Sequence, residues 1–211
     1  MPVSRELGAV FIHIPKCAGT SIESALGMHG DVQTVGVTRY TNQESNYEHL
    51  FGNGLQHMPA QDVRAYLTDT VYDKLFSFSF VRNPWDRLIA HLAWRNGKWA
   101  EAKALDIAEV GQFIDELESK PTMLLKGHLA PQYSFLTDSF GNIDCDFIGS
   151  YELLNQDWDL VCDILKIKAA LPKRMASNRQ HYTTYYTDDE AERVAKIYEK
   201  DIKIFDYEYG R

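Results

Sequence analysis

The sequence predicts an α/β fold, a parallel sheet with helices on both faces, and two patterns carry that prediction. Short apolar runs alternate along the chain with segments of helical spacing, the order that builds parallel strands joined by helical crossovers. The first run, residues 8–14 (GAVFIHI), is almost continuously apolar, as a strand covered on both faces must be. The length fits a single domain over 1–211, since 211 residues with 45% apolar and 25% charged side chains can bury a core without disulfides or metal.

The first strand, residues 8–14, ends at Pro15, and Thr20-Ser21 opens a helix running to Leu26. Residues 29–55 are rich in Gly, Asn, Gln and Thr and read as irregular, with an edge strand expected at 32–38. Pro59 to Leu67 fits a short helix with proline in its first turn. Leu75 to Val81 (LFSFSFV) is a strand, and Asn83-Pro84 opens another helix with Asn as N-cap and Pro at the first helical position. Helical spacing returns over Ile107 to Leu117, followed by an irregular stretch at 121–142 and a third short strand at Cys145 to Gly149. Asn155 to Ile167 is amphipathic, with Trp158, Val161 and Leu165 on one face. Thr187 and Glu190 form a capping box before a last helix over 188–204.

Charge and cysteine usage exclude several functions. With 22 Lys+Arg against 30 Asp+Glu, the net charge of −8 argues against a broad nucleic-acid footprint or an anionic-membrane surface, and leaves room for a local basic pocket. Cys17, Cys145 and Cys162 show neither a CxxC pair nor zinc spacing, so reduced thiols and no metal site are expected. The start lacks the apolar stretch of a signal peptide, and its longest apolar run is far below the ~20 residues of a membrane span. A soluble cytoplasmic protein is the expectation.

Two strand–turn–helix sites carry the chemistry. In FIHIPKCAGTSIESAL, residues 11–26, a buried strand ends at a turn holding Lys16, Cys17, Ala18 and Gly19, with Thr20 and Ser21 at the helix start. Helix starts expose unpaired N–H groups, small side chains let the backbone close on an anion, Lys16 adds a point charge, and the hydroxyls donate hydrogen bonds. An ordinary turn with a solvated lysine and two capping hydroxyls is the plainer alternative. It is not a Walker A loop, because Lys16 precedes Gly19, and no segment supplies an obvious Mg²⁺ partner. In FSFSFVRNPWDRLIAHLAW, residues 76–94, Arg82 leaves a strand end just before a capped helix. Parallel strands end along one crevice, so Lys16 and Arg82 are candidates to hold one polyanionic ligand. The structural alternative for Arg82 is a salt bridge to an acid such as Asp86, a role that Arg87, within the helix, suits better.

HIPKCAGTS followed by FVRNPWDRL resembles the carbohydrate sulfotransferases, the heparan-sulfate 2-O-sulfotransferase-like branch and its bacterial relatives. Weaker echoes run through HMPAQDVRAYL at 57–67, HLAPQYSFL at 128–136, DFIGSYELL at 146–154 and the C-terminal segment 181–209. The resemblance implies a P-loop-like fold and sulfuryl transfer from 3′-phosphoadenosine-5′-phosphosulfate (PAPS) to a hydroxyl, expected on a saccharide. It implies that residues 16–21 cradle the 5′-phosphosulfate and that Arg82 contacts the 3′-phosphate, with Asn178 and Arg179 in a late loop near the nucleotide. The family usually carries serine where this chain has Ala90, whose side chain cannot bond the 3′-phosphate. Either Arg82 takes more of that recognition, or His91 or Arg179 compensates, or a different nucleotide binds. Ser150 stands where relatives commonly carry arginine.

Direct in-line transfer needs a base for the acceptor proton and positive groups for the leaving oxygen. Lys16 suits the second task. Among the seven histidines, His13 lies within the first strand and reads as a packed wall residue, and His29 and His49 fall in the irregular stretch. His57, on a loop between the two motifs, is the leading candidate base. His128 is the second, better suited to the acceptor side with Gln132, which reads either as a sugar ligand or as a buried loop amide. Trp85, Trp94 and Trp99 suit either sugar stacking or core packing. Two other functions stay open: a nucleotide kinase or NTPase with an altered loop, and a nucleotide-binding module without catalysis.

Overall fold

The computed structural model describes residues 3–27, 54–97, 105–125, 127–172 and 179–211, so the edge strand expected at 32–38 lies outside the described residues. In chain order the elements are β1 (Val3–Ser4), β2 (Ala9–Ile12), α1 (Gly19–Ala25), α2 (Ala60–Leu67), α3 (Asp69–Tyr72), β3 (Phe76–Val81), α4 (Pro84–Arg95), α5 (Ile107–Ser119), α6 (Tyr133–Leu136), β4 (Phe147–Ser150), α7 (Leu154–Leu165), α8 (Asp188–Ile197) and α9 (Glu199–Phe205). Short 3₁₀ turns at Gly54–His57, Pro121–Leu124, Gly127–Leu129 and Tyr182–Tyr185 join them. The α/β architecture divides into two compact units, Met1–Val81 with Gln132–Arg174 and Arg82–Pro131 with Met175–Arg211.

The first unit holds a four-stranded sheet in the order β1-β2-β3-β4, flanked by helices. The pairs β2/β3 and β3/β4 are parallel, with Ile12 opposite Ser79 and Val81 opposite Ser150. The three parallel strands therefore end on one side, and the 13–18 turn leaves from that side. Every residue of β2 is buried, as its continuous apolar run requires. Phe11 stacks on Phe78 at 5.1 Å between ring centroids. The serines that alternate with phenylalanine in β3 are buried too, because their hydroxyls find partners: Ser79 donates to the Ile12 carbonyl at 2.6 Å, and Ser77 donates to Asp146 at 2.8 Å.

The first strand is shorter than expected, Ala9–Ile12 rather than 8–14, and four further features differ from the sequence expectation. The strand expected from Cys145 starts at Phe147, because the Asp146 carboxylate accepts the Ser77 backbone N–H and so replaces a ladder bond. The helix expected over 188–204 is broken at Tyr198, whose backbone leaves helical geometry at φ −110° and whose buried hydroxyl donates to the Leu129 carbonyl. The antiparallel strand β1, only two residues long, carries too little periodicity to be seen in sequence. The region expected to be irregular, 121–142, holds two 3₁₀ turns and α6.

The second unit packs α4, α5 and α8 around Trp85, Ile89, Phe113, Ile114, Leu117 and Val194, all at most 3% exposed. Asn83 caps α4 as its sequence position predicts, accepting from the N–H groups of Trp85 and Asp86. Its amide also donates to the Tyr182 hydroxyl and to the Glu208 carbonyl, tying the C-terminal segment to the helix start.

Candidate active site

The turn after β2 is built on unusual backbone. Lys16 and Ala18 adopt left-handed conformations, at φ 69° and φ 62°, with Cys17 between them. Non-glycine residues seldom do so, and the strain is held where surrounding structure over-determines it. Left-handed residues alternating with ordinary ones turn successive N–H groups toward one side, the geometry of an anion-binding concavity. Ala18 caps α1, its carbonyl accepting from Ser21 and Ile22. Lys16 and Thr20 are half-buried and Ser21 is buried. Cys17 is buried, and its thiol donates to the Pro15 carbonyl and to the side-chain oxygen of Gln132 at 3.3 Å. Gln132 is itself completely buried, so it supports the turn from within.

Beside this turn lies a cluster that the sequence did not disclose. His13, Glu23 and His57 are each 4% exposed. His13 Nδ1 lies 2.6 Å from Glu23 Oε1, and Gln56 donates to Glu23 Oε2 at 2.8 Å. His57 Nδ1 sits 2.9 Å from the His13 carbonyl, and the two rings meet edge-on at 4.5 Å. A carbonyl can only accept, so His57 Nδ1 carries the proton and Nε2 is the basic nitrogen of the neutral ring. Burial would raise the Glu23 carboxyl, but hydrogen bonds and charge from His13, with Gln56, hold it below its usual range. Gly19 completes the cluster: a Cβ there would meet His13 Nε2 at 2.0 Å, so the bare Cα is what lets the ring lie over the start of α1. The one hint in sequence is Glu23 itself, four residues after Gly19 and therefore on the same face of α1.

In the second unit, Arg82 and Arg179 share one carboxylate. Arg82 Nε donates to Asp86 at 2.7 Å, and Arg179 donates to the other Asp86 oxygen. Burial would raise the Asp86 carboxyl, and the two guanidinium groups hold it low. Asp86 thus holds both guanidinium groups side by side. Ala90, one turn beyond Asp86 on α4, is 8% exposed. Arg87 donates to the carbonyls of Ala130 and His128, whereas the salt bridge to Asp86, expected of Arg87 rather than Arg82, is made by Arg82. The His128 ring packs 4.5 Å from Trp94 and 5.7 Å from His91. Asn178, His29, His49 and Trp99 lie outside the described residues.

A family model described as the Sulfotransferase family matches residues 1–208. The chain belongs to the Sulfotransferase family. The family consists of sulfotransferases, enzymes that use PAPS, and it has a P-loop-like fold, which accounts for the parallel sheet and the turn after β2. No curated protein and no solved structure matches the chain.

This sulfotransferase thus brings together, in its first unit, the turn residues 16–21, Gln132 and His57, all singled out in sequence, with His13, Glu23 and Gln56, whose parts in the cluster were not. Arg82 and Arg179 meet at Asp86 in the second unit, where His128 also lies. Among the described residues no group of His, Cys, Asp or Glu is placed to hold a metal ion, and no helix is long and apolar enough to cross a membrane.

Proposed function

We propose that this sulfotransferase moves a sulfuryl group from PAPS directly to a saccharide hydroxyl, with His57 as the base. The observation that carries the reading is the fixed tautomer of His57: Nδ1 is bonded to the His13 carbonyl, which makes Nε2 the proton acceptor, in the same buried cluster as the start of α1. Residue chemistry fits the donor. The concave turn with Lys16, Thr20 and Ser21 suits a phosphosulfate, and the two guanidinium groups of Arg82 and Arg179, held side by side, suit a further phosphate. PAPS supplies an activated sulfuryl group whose leaving oxygen belongs to a phosphate. Lys16 and the N–H groups of the turn stabilise the charge on that oxygen, while His57 takes the acceptor proton. Gln132 we place behind the turn rather than against the acceptor, because it is buried and bonded to Cys17. His128, half-buried beside Trp94, stays on the acceptor side.

Thermal shifts with adenosine 3′,5′-bisphosphate, AMP and ATP, the last with and without Mg²⁺, test the donor. The bisphosphate at 100 times its Kd should add about 2.7 kcal/mol of stability, with AMP far weaker. Mg²⁺-dependent stabilisation by ATP alone would point to phosphoryl transfer instead. Incubation with ³⁵S-labelled PAPS and a panel of desulfated heparin, desulfated chondroitin and simple glycosides should label a saccharide. Tight bisphosphate binding with no labelling of the panel would sink the saccharide assignment.

A further inference from the structure

We propose that Glu23 is a positioning residue for the base, clamping His57 to the donor turn through His13 and Gln56. The proposal rests on His57 being the base. Glu23 lies on α1, the helix that begins where the turn ends. Each of its oxygens reaches a residue that flanks His57. Oε1 meets His13 Nδ1 at 2.6 Å, and the carbonyl of the same His13 receives His57 Nδ1–H. Oε2 accepts from Gln56, the residue immediately before His57 in the 3₁₀ turn Gly54–His57. One carboxylate therefore joins the residue following β2, the first helix and the short turn that carries the base.

The physical reason for such a clamp is distance. Proton acceptance and in-line attack require the basic nitrogen and the donor at a set separation, and a misplacement of ~1 Å costs on the order of 10²-fold in rate. A short 3₁₀ turn does not hold a side chain that firmly by its own hydrogen bonds. A buried carboxylate is costly unless its oxygens are satisfied, and here both are, by partners from two other segments. His13 cannot swing away, since its ring lies against the Gly19 Cα and stacks on Phe11 at 5.5 Å.

The first readout is independent of turnover. Long-range ¹H–¹⁵N spectra of histidine-labelled protein at pH 8.5, with the His57 signal assigned by its loss in His57→Gln, should show His57 protonated at Nδ1. Glu23→Gln keeps an acceptor for His13 and should retain that signature. Glu23→Ala, or Glu23→Asp should the alanine variant not fold, should average it between tautomers. An unaltered His57 signal in Glu23→Ala, or in Glu23→Asp where the alanine variant does not fold, overturns the proposal.

The second readout is a kinetic cycle with ³⁵S-labelled PAPS and the panel saccharide that labels fastest. Glu23→Ala should lower kcat about 10–100-fold, with acceptor KM and adenosine 3′,5′-bisphosphate affinity within twofold. On a His57→Ala background the same change should cost nothing more, because the base it positions is gone. Equal losses on both backgrounds would mean that Glu23 merely stabilises the fold. Normal turnover of His57→Ala would instead refute the base assignment, while the spectra would still report whether Glu23 orients the ring.

Discussion

At the scale of single residues, Gly19 is the position whose chemistry is most constrained by its neighbour. A methyl group there would meet the His13 ring at 2.0 Å. That ring is held by Glu23 and by stacking on Phe11, so it has little room to yield. Gly19→Ala should therefore destabilise the protein by about 1–3 kcal/mol, as overpacking does, read from urea denaturation. Removing the ring relieves the clash, so His13→Ala should cost less on the Gly19→Ala background than alone; equal costs would show that the close approach is not what makes glycine necessary. Lys16, Arg82 and His57 stood out in sequence as candidates because each sits in a recognisable motif or loop. Glu23 was not, since one carboxylate on a short helix looks like any solvated surface acid until His13 and Gln56 are seen to converge on it. Gln132 was ambiguous for a similar reason: its partner Cys17 is 115 residues away.

Among the elements, those with explicit punctuation were the ones the sequence located well. Asn83-Pro84 and Thr187 with Glu190 mark the starts of α4 and α8 at the positions observed. Boundaries set by distant side chains were not legible. The start of β4 depends on Asp146 bonding Ser77, and the break between α8 and α9 coincides with Tyr198 reaching Leu129, neither of which leaves a local pattern. Asn83 serves two tasks at once, capping α4 and holding Tyr182 and Glu208 through its amide. Its replacement should exceed an ordinary cap loss. Asn83→Asp keeps the cap and removes the amide donor, whereas Asn83→Ala removes both; the alanine variant should lose about 2–4 kcal/mol and the aspartate variant less, measured by calorimetry. A larger loss for aspartate than for alanine would refute the capping contribution.

For the molecule as a whole, acid stability draws on two carboxyls that their partners hold low. Glu23 and Asp86 are both held below their ordinary values of 4.5 and 3.8. The unfolded chain therefore takes up these protons first as pH falls. Their contribution is complete at neutral pH and is lost as pH drops below those ordinary values and through the lowered folded ones. Asp86→Asn should accordingly be less stable than the wild type at pH 7 and approach it at pH 2.5 to 3, seen as converging denaturation midpoints; a gap that stays constant with pH would remove Asp86 from this account. A different consequence comes from how the two units share the chain, each assembled from two separate stretches with the other threaded between them. The sheet cannot take in β4 until all of α4 and α5 have been made, and the core around Trp85 waits for Val194 and Tyr198 near the C-terminus. During synthesis, the first unit has all its parts only after its second stretch, Gln132–Arg174, has been made, and the second only after Met175–Arg211, so no single cut separates one unit from the other.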